Sequence, residues 1–214
     1  MADDNKAVEI KELSRFTMWT RPKNKPNAKA AKLCFCIRDS CPRITVYTND
    51  PDDTERYGII YAAFDPESFF VLLDIWREIV NGPNDNKVKV ECKFRPTVDG
   101  VKGDLTVMTS VLLGKDAEGI CWISLLSNDG NRPKLKFEST LSFFHAVTMA
   151  DGSQMSKTEG SKRHTLALIT FLDRVYGGLC AAFREKGVYN RTKPNTPIAN
   201  NAKTEVTFDD DIPF

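Results

Sequence analysis

At 214 residues, with 41% apolar and 28% charged side chains, the chain holds enough apolar material for one cored domain and a tail, and too much for disorder throughout. No apolar run approaches the roughly 20 residues of a membrane-spanning helix. The opening Met1-Ala2-Asp3-Asp4-Asn5-Lys6 is acidic and polar where a signal peptide is basic and then apolar, so the expected compartment is the cytosol.

Strand-like segments come first: Leu33-Cys34-Phe35-Cys36-Ile37, then Ile44-Thr45-Val46-Tyr47-Thr48, then Ile59 to Phe64, separated by Pro, Asn and Asp clusters. Asp65 caps a predicted helix with Pro66 and Glu67 in its first turn; Phe69, Leu72, Leu73, Trp76, Ile79 and Val80 form its apolar stripe, and Gly82-Pro83 ends it. From Lys87 the alternation is strict, with Val88, Val90, Cys92 and Phe94 on one side and Lys87, Lys89, Glu91, Lys93 and Arg95 on the other. Two further strands, about Leu105 to Leu113 and Ile120 to Ser127, flank a polar turn containing Gly114, Asp116 and Gly119. Lys134 and Lys136 alternate with Leu135 and Phe137 in the next. A Gly, Ser and Lys-rich loop over Ala150–Ser161 precedes a second helix, about Lys162 to Lys186, with Leu166, Ile169, Tyr176, Leu179 and Phe183 on its buried side and Gly187 after its end.

Six to eight short strands, one helix inside the series and one after it, predict a mainly β (α+β) domain over 1–187. Its expected form is an oligonucleotide-binding (OB) β-barrel with helical additions; a sandwich fits the same count. Residues 188–206, rich in Asn, Thr, Lys and Pro, read as a flexible linker, and 207–214 as a separate acidic tip. Residues 204–214 hold Glu205, Asp209, Asp210 and Asp211 and no Lys or Arg, so the overall +1 divides into −4 there and +5 over 1–203. A basic body suits a polyanion, and an acidic tip suits another partner.

Catalytic signals are missing from the sequence. It contains no G-x-x-x-x-G-K-[ST] and no G-x-G-x-x-G, and its two histidines, His145 and His164, stand isolated, so the expectation is a binding protein without enzymatic activity or cofactor. Six cysteines contain no C-x-x-C pair and read as reduced, packed thiols. Cys34, Cys36 and Cys41 are spaced poorly for a zinc knuckle, so no metal is expected.

Non-specific single-strand binding needs cations along the phosphates and aromatic faces for the bases. The cationic candidates are Lys23, Lys25, Lys29 and Lys32 in the early loop, Arg38 and Arg43 flanking a strand turn, Lys87, Lys89, Lys93 and Arg95, and Lys134 and Lys136. The stacking candidates are Trp19, Phe35, Tyr47, Tyr61 and Trp122.

The closing Thr207-Phe208-Asp209-Asp210-Asp211-Ile212-Pro213-Phe214 is the most specific stretch. The Phe214 ring can fill a pocket, its carboxylate can meet a basic group, Pro213 limits the entropy lost on docking, and the aspartates steer toward basic partners. This stretch closely resembles the C-terminal tip of bacterial single-stranded DNA-binding proteins, in which acidic residues and a final Ile-Pro-Phe dock into partner proteins. With its two substantial helices and short linker, the body looks more like a phage-type replicative single-stranded DNA-binding protein carrying a host-compatible tip, so the bacterial tetramer is not carried over. The resemblance implies work in replication, recombination and repair in the cytoplasm, a bacterial host's if phage-encoded. Partners recruited through Asp209, Asp210, Asp211, Ile212, Pro213 and Phe214 would be a polymerase, primase, helicase or nuclease; homo-oligomerisation is left open. A recombination mediator, a strand-annealing factor and an adaptor with a decoy tip are the alternatives.

Overall fold

The computed structural model describes residues 19–38, 41–95, 97–98, 101–128, 132–140 and 146–185. Strands β1 (Lys32–Arg38), β2 (Cys41–Tyr47) and β3 (Ile59–Ala63) form an antiparallel sheet in that order. Helix α1 (Pro66–Asn81) follows, then β4 (Asn86–Phe94), a small hairpin of β5 (Thr97–Val98) and β6 (Val101–Lys102), β7 (Thr106–Lys115), β8 (Cys121–Ser127), β9 (Leu135–Glu138) and helix α2 (Lys157–Glu185). The second antiparallel sheet has the order β4-β7-β8-β9, and Trp19-Thr20 lies along the free edge of β9, where Thr20 N–H donates to the Glu138 carbonyl at 2.8 Å. Among the described residues no strand pairs in both larger sheets; they meet where β3 packs against β7 and β8. Among the described residues the domain is mostly antiparallel strand, with the two helices α1 and α2.

Alternation sets the core. Leu33, Phe35, Ile37, Ile44, Val46, Ile60 and Ala62 project from one face of the first sheet, and Val111, Leu113, Ile123, Leu125, Leu135 and Phe137 from one face of the second; all are buried. Between and beside these faces lie α1, through its expected stripe, and α2, through Leu168, Ile169, Leu172 and Tyr176. Trp76 is stacked with Trp19 at 5.9 Å and with Phe35 at 6.3 Å, while Tyr176 tilts against Phe69 at 4.7 Å and donates its hydroxyl to the Cys36 carbonyl.

Helix α1 begins as the sequence predicts: the Asp65 carboxylate accepts from Ser68 N–H at 2.8 Å, a cap worth about 1 kcal/mol. No cation sits in its last turn, but Lys115, at the end of β7, reaches across and donates to the carbonyls of Val80 and Gly82. A charge that the helix dipole favours at that end thus comes from another element. Helix α2 starts five residues before the expected Lys162. Ser156 caps it by accepting from Glu159 N–H, and Thr158 and Ser161 hydrogen-bond the Glu118 carbonyl and the Cys121 N–H. Small polar residues that resemble a loop in sequence are there because this turn lies close against the start of β8.

His164 lies on the buried side of α2, with Nδ1 against the Ser139 hydroxyl and its ring edge against Trp19 at 5.5 Å. Burial pushes its pKa down to about 4. The unfolded chain takes up this proton near pH 6.5 and the folded chain only near 4, so stability present at neutral pH is lost as pH falls through that window. The expected loss is roughly 3 kcal/mol. Urea unfolding at pH 7 and pH 4.5 should show the fall in wild type and a much smaller one in His164→Gln.

Candidate nucleic-acid interface

On the face of the first sheet opposite the core, the register aligns Lys32 with Tyr47 and Ile59, Cys34 with Thr45 and Tyr61, Cys36 with Arg43 and Ala63, and Arg38 with Cys41. Five of the sequence candidates, Lys32, Arg38, Arg43, Tyr47 and Tyr61, therefore share one face of the sheet, whose middle is covered, since Cys34, Cys41, Arg43 and Thr45 are buried. Arg38 is exposed, and Lys32, Tyr47 and Tyr61 are half-buried. Arg43 is corrected: expected to meet phosphate, it is 6% exposed and lays its guanidinium over the Tyr61 ring, 5.0 Å from the centroid. Arg56 covers the same ring at 5.6 Å. The two guanidiniums hold the phenol by cation–π attraction and bring positive charge to it.

The outer face of the second sheet is mixed in charge. Its rows read Lys87–Gly114–Trp122–Glu138, Lys89–Leu112–Ser124–Lys136 and Glu91–Ser110–Leu126. The basic faces of β4 and β9 do coincide, but Lys89 pairs with Glu91 at 2.7 Å, and Lys136 pairs with Glu138 at 3.0 Å and Asp116 at 3.5 Å. The Lys89 hydrogen bond also holds the Glu91 carboxyl below its ordinary pKa. Lys87, Lys93, Arg95 and Lys134 are exposed. Trp122 is half-buried with its indole laid over Gly114, where an added Cβ would come within 2.3 Å of the ring, and Lys136 Nζ lies 5.5 Å from its centroid. Glycine is required there by the close approach of the indole.

Two stacking candidates belong to the core. Trp19 is 6% exposed and Phe35 1%, and both rings pack on Trp76, so neither offers a face to a base. In the early loop, Lys23, Lys25 and Lys29 are exposed, and Lys25 is ion-paired with Asp52. Cys34, Cys41 and Cys121 are buried, and burial pushes the half-buried Cys92 thiol up to about 12. Among the described residues no group of three or more His, Cys, Asp or Glu is placed to hold a metal ion, and no helix is long and apolar enough to cross a membrane. His145, Gly187, the linker and the tip lie outside the described residues, as does the side chain of Phe183.

Sequence reasoning passed over the turn Glu55–Gly58 between β2 and β3. Arg56 (φ 47°) and Tyr57 (φ 56°) both occupy the left-handed region, and Tyr57 is 97% exposed. Beneath them Arg132 forms a buried ion pair with Asp53, donating from Nε at 3.1 Å and a terminal nitrogen at 2.9 Å, and donates also to the carbonyls of Glu55 and Ile59. Thr48 donates its hydroxyl to Asp53 at 2.7 Å. The available signal was an aromatic residue beside Gly58 in an otherwise polar turn.

No family model, curated protein or solved structure matches the chain.

Proposed function

We propose that the protein binds single-stranded DNA without sequence preference across the outer face of β1–β3, and recruits replication, recombination and repair proteins through residues 207–214. The observation that carries this reading is the gathering of Lys32, Arg38, Tyr47 and Tyr61 on one sheet face, with Arg43 and Arg56 over the Tyr61 ring. Cations for the phosphates and the half-exposed Tyr47 ring as a stacking platform are what sequence-tolerant binding needs, with Tyr61 held under two guanidiniums beside them. The second sheet, with its lysines interleaved by Glu91, Glu138 and Asp116, takes a secondary part. A five-stranded OB-type barrel with helical additions is the architecture we infer, supported by the packing of β3 on β7 and β8. Binding rather than chemical turnover is the proposed activity, and the Asp-rich Ile-Pro-Phe tip supports protein recruitment.

Lys32→Glu combined with Arg38→Glu tests the assignment. The double variant should weaken binding to oligo-dT and oligo-dC alike by about tenfold or more at low salt, because phosphate contacts carry no base information. It should also flatten the salt dependence by about 0.7 for each phosphate that is no longer neutralised. Unchanged affinity, with the same changes at Lys87 and Lys89 abolishing binding, would move the site to the second sheet.

A further inference from the structure

We propose that the turn Glu55–Gly58 is a preformed stacking arm, in which the Tyr57 ring takes an unpaired base of the strand lying on the β1–β3 face. The inference rests on the single-strand reading above and adds a site to it. Two consecutive non-glycine residues at positive φ are strained, and the strain is not repaid locally, since Tyr57 is 97% exposed. What holds the turn is the framework below it: the buried Arg132–Asp53 pair, the Arg132 bonds to the Glu55 and Ile59 carbonyls, the Thr48 N–H donating to the Gly58 carbonyl at 2.8 Å, and the Thr48 hydroxyl donating to Asp53 at 2.7 Å. Gly58 itself needs its φ of 72°, with an added Cβ falling 2.9 Å from the Thr48 hydroxyl oxygen.

A fully exposed ring on a backbone fixed this firmly loses little conformational freedom when it docks. Its neighbour identifies the ligand class. Arg56, one residue earlier, lies over Tyr61 on the cationic face, so the ring stands at the border of a surface suited to phosphates. A base next to a bound phosphate backbone is the aromatic, flat partner that this position fits.

The test uses the full chain carrying Tyr57→Asn, which removes the ring while suiting a left-handed turn, and Tyr57→Phe, which keeps it. Probes are fluorescent oligo-dT and an abasic deoxyribose-phosphate oligomer of equal length. For Tyr57→Asn the expected result is a roughly 5- to 100-fold loss on oligo-dT, near-wild-type affinity in Tyr57→Phe, and no difference between the proteins on the abasic oligomer. The salt slope should stay unchanged, since no charge is altered. Wild-type binding to oligo-dT that Tyr57→Asn leaves intact, or weakens equally on the abasic oligomer, overturns the stacking arm and spares the single-strand reading. A wild-type protein that binds neither probe overturns both; a ring required only for protein capture assigns the arm to a protein partner instead and also overturns it.

Discussion

Replacing Phe214 with Ala is expected to lower capture of replication and repair proteins by at least about thirtyfold while leaving oligo-dT affinity as it was. Truncating a buried aromatic anchor commonly costs about 2 kcal/mol or more, because the pocket is left partly unfilled and its shape match is gone. If the aspartates that precede it steer as rim charges, Asp209→Ala should cost less and its effect should fade as salt rises. Phe214 follows a linker of 188–206 that holds almost no large apolar residue, so the change leaves the folded body alone. Quantitative pull-down from a bacterial lysate, wild type against Phe214→Ala and Asp209→Ala, gives the ranking directly. Equal recovery of the same proteins by all three would remove the tip from recruitment.

A larger effect on stability is expected from Asp53→Ala. Both side chains of the Arg132–Asp53 pair are 4% exposed, and removing the carboxylate leaves a guanidinium buried without its counter-charge. Losses of about 3–5 kcal/mol are usual for such a change, a large share of the roughly 5–15 kcal/mol that holds a domain together. The Thr48 hydroxyl loses an acceptor at the same time. Asp52→Ala is the matched control, because its partner Lys25 is exposed and surface pairs contribute little. Equilibrium urea unfolding should therefore separate two adjacent aspartates sharply, and similar midpoints would mean that the buried pair does not fix the turn.

Much of this architecture is legible in the residues because its signals are local. The Asp65 cap and the Phe69-to-Val80 stripe specify α1 almost to the residue, and the alternation from Lys87 to Arg95 places the β4 lysines outward as the structure does. The same two-residue period puts Lys32, Arg38, Arg43, Tyr47 and Tyr61 on one face once the register is known. Features that depend on partners distant in sequence are not legible. Nothing near Trp19 or Phe35 announces that Trp76 covers them, and nothing near Lys136 announces that Asp116 lies across the sheet. Arg43 reads as a surface cation until Tyr61 is seen beneath its guanidinium. The Glu55–Gly58 turn is hidden for the same reason, since its conformation is imposed by Arg132 from more than seventy residues away.

Single-strand binding by the basic body is checked by fluorescence anisotropy of labelled oligo-dT, titrated across salt with the 214-residue chain and with a chain ending at residue 205. Both should bind, the shorter at least as tightly because Asp209, Asp210 and Asp211 no longer compete for the basic face, and log affinity should fall with log salt by about 0.7 per phosphate neutralised. Absence of binding, an affinity indifferent to salt, or collapse of affinity on removing residues 206–214 would contradict it.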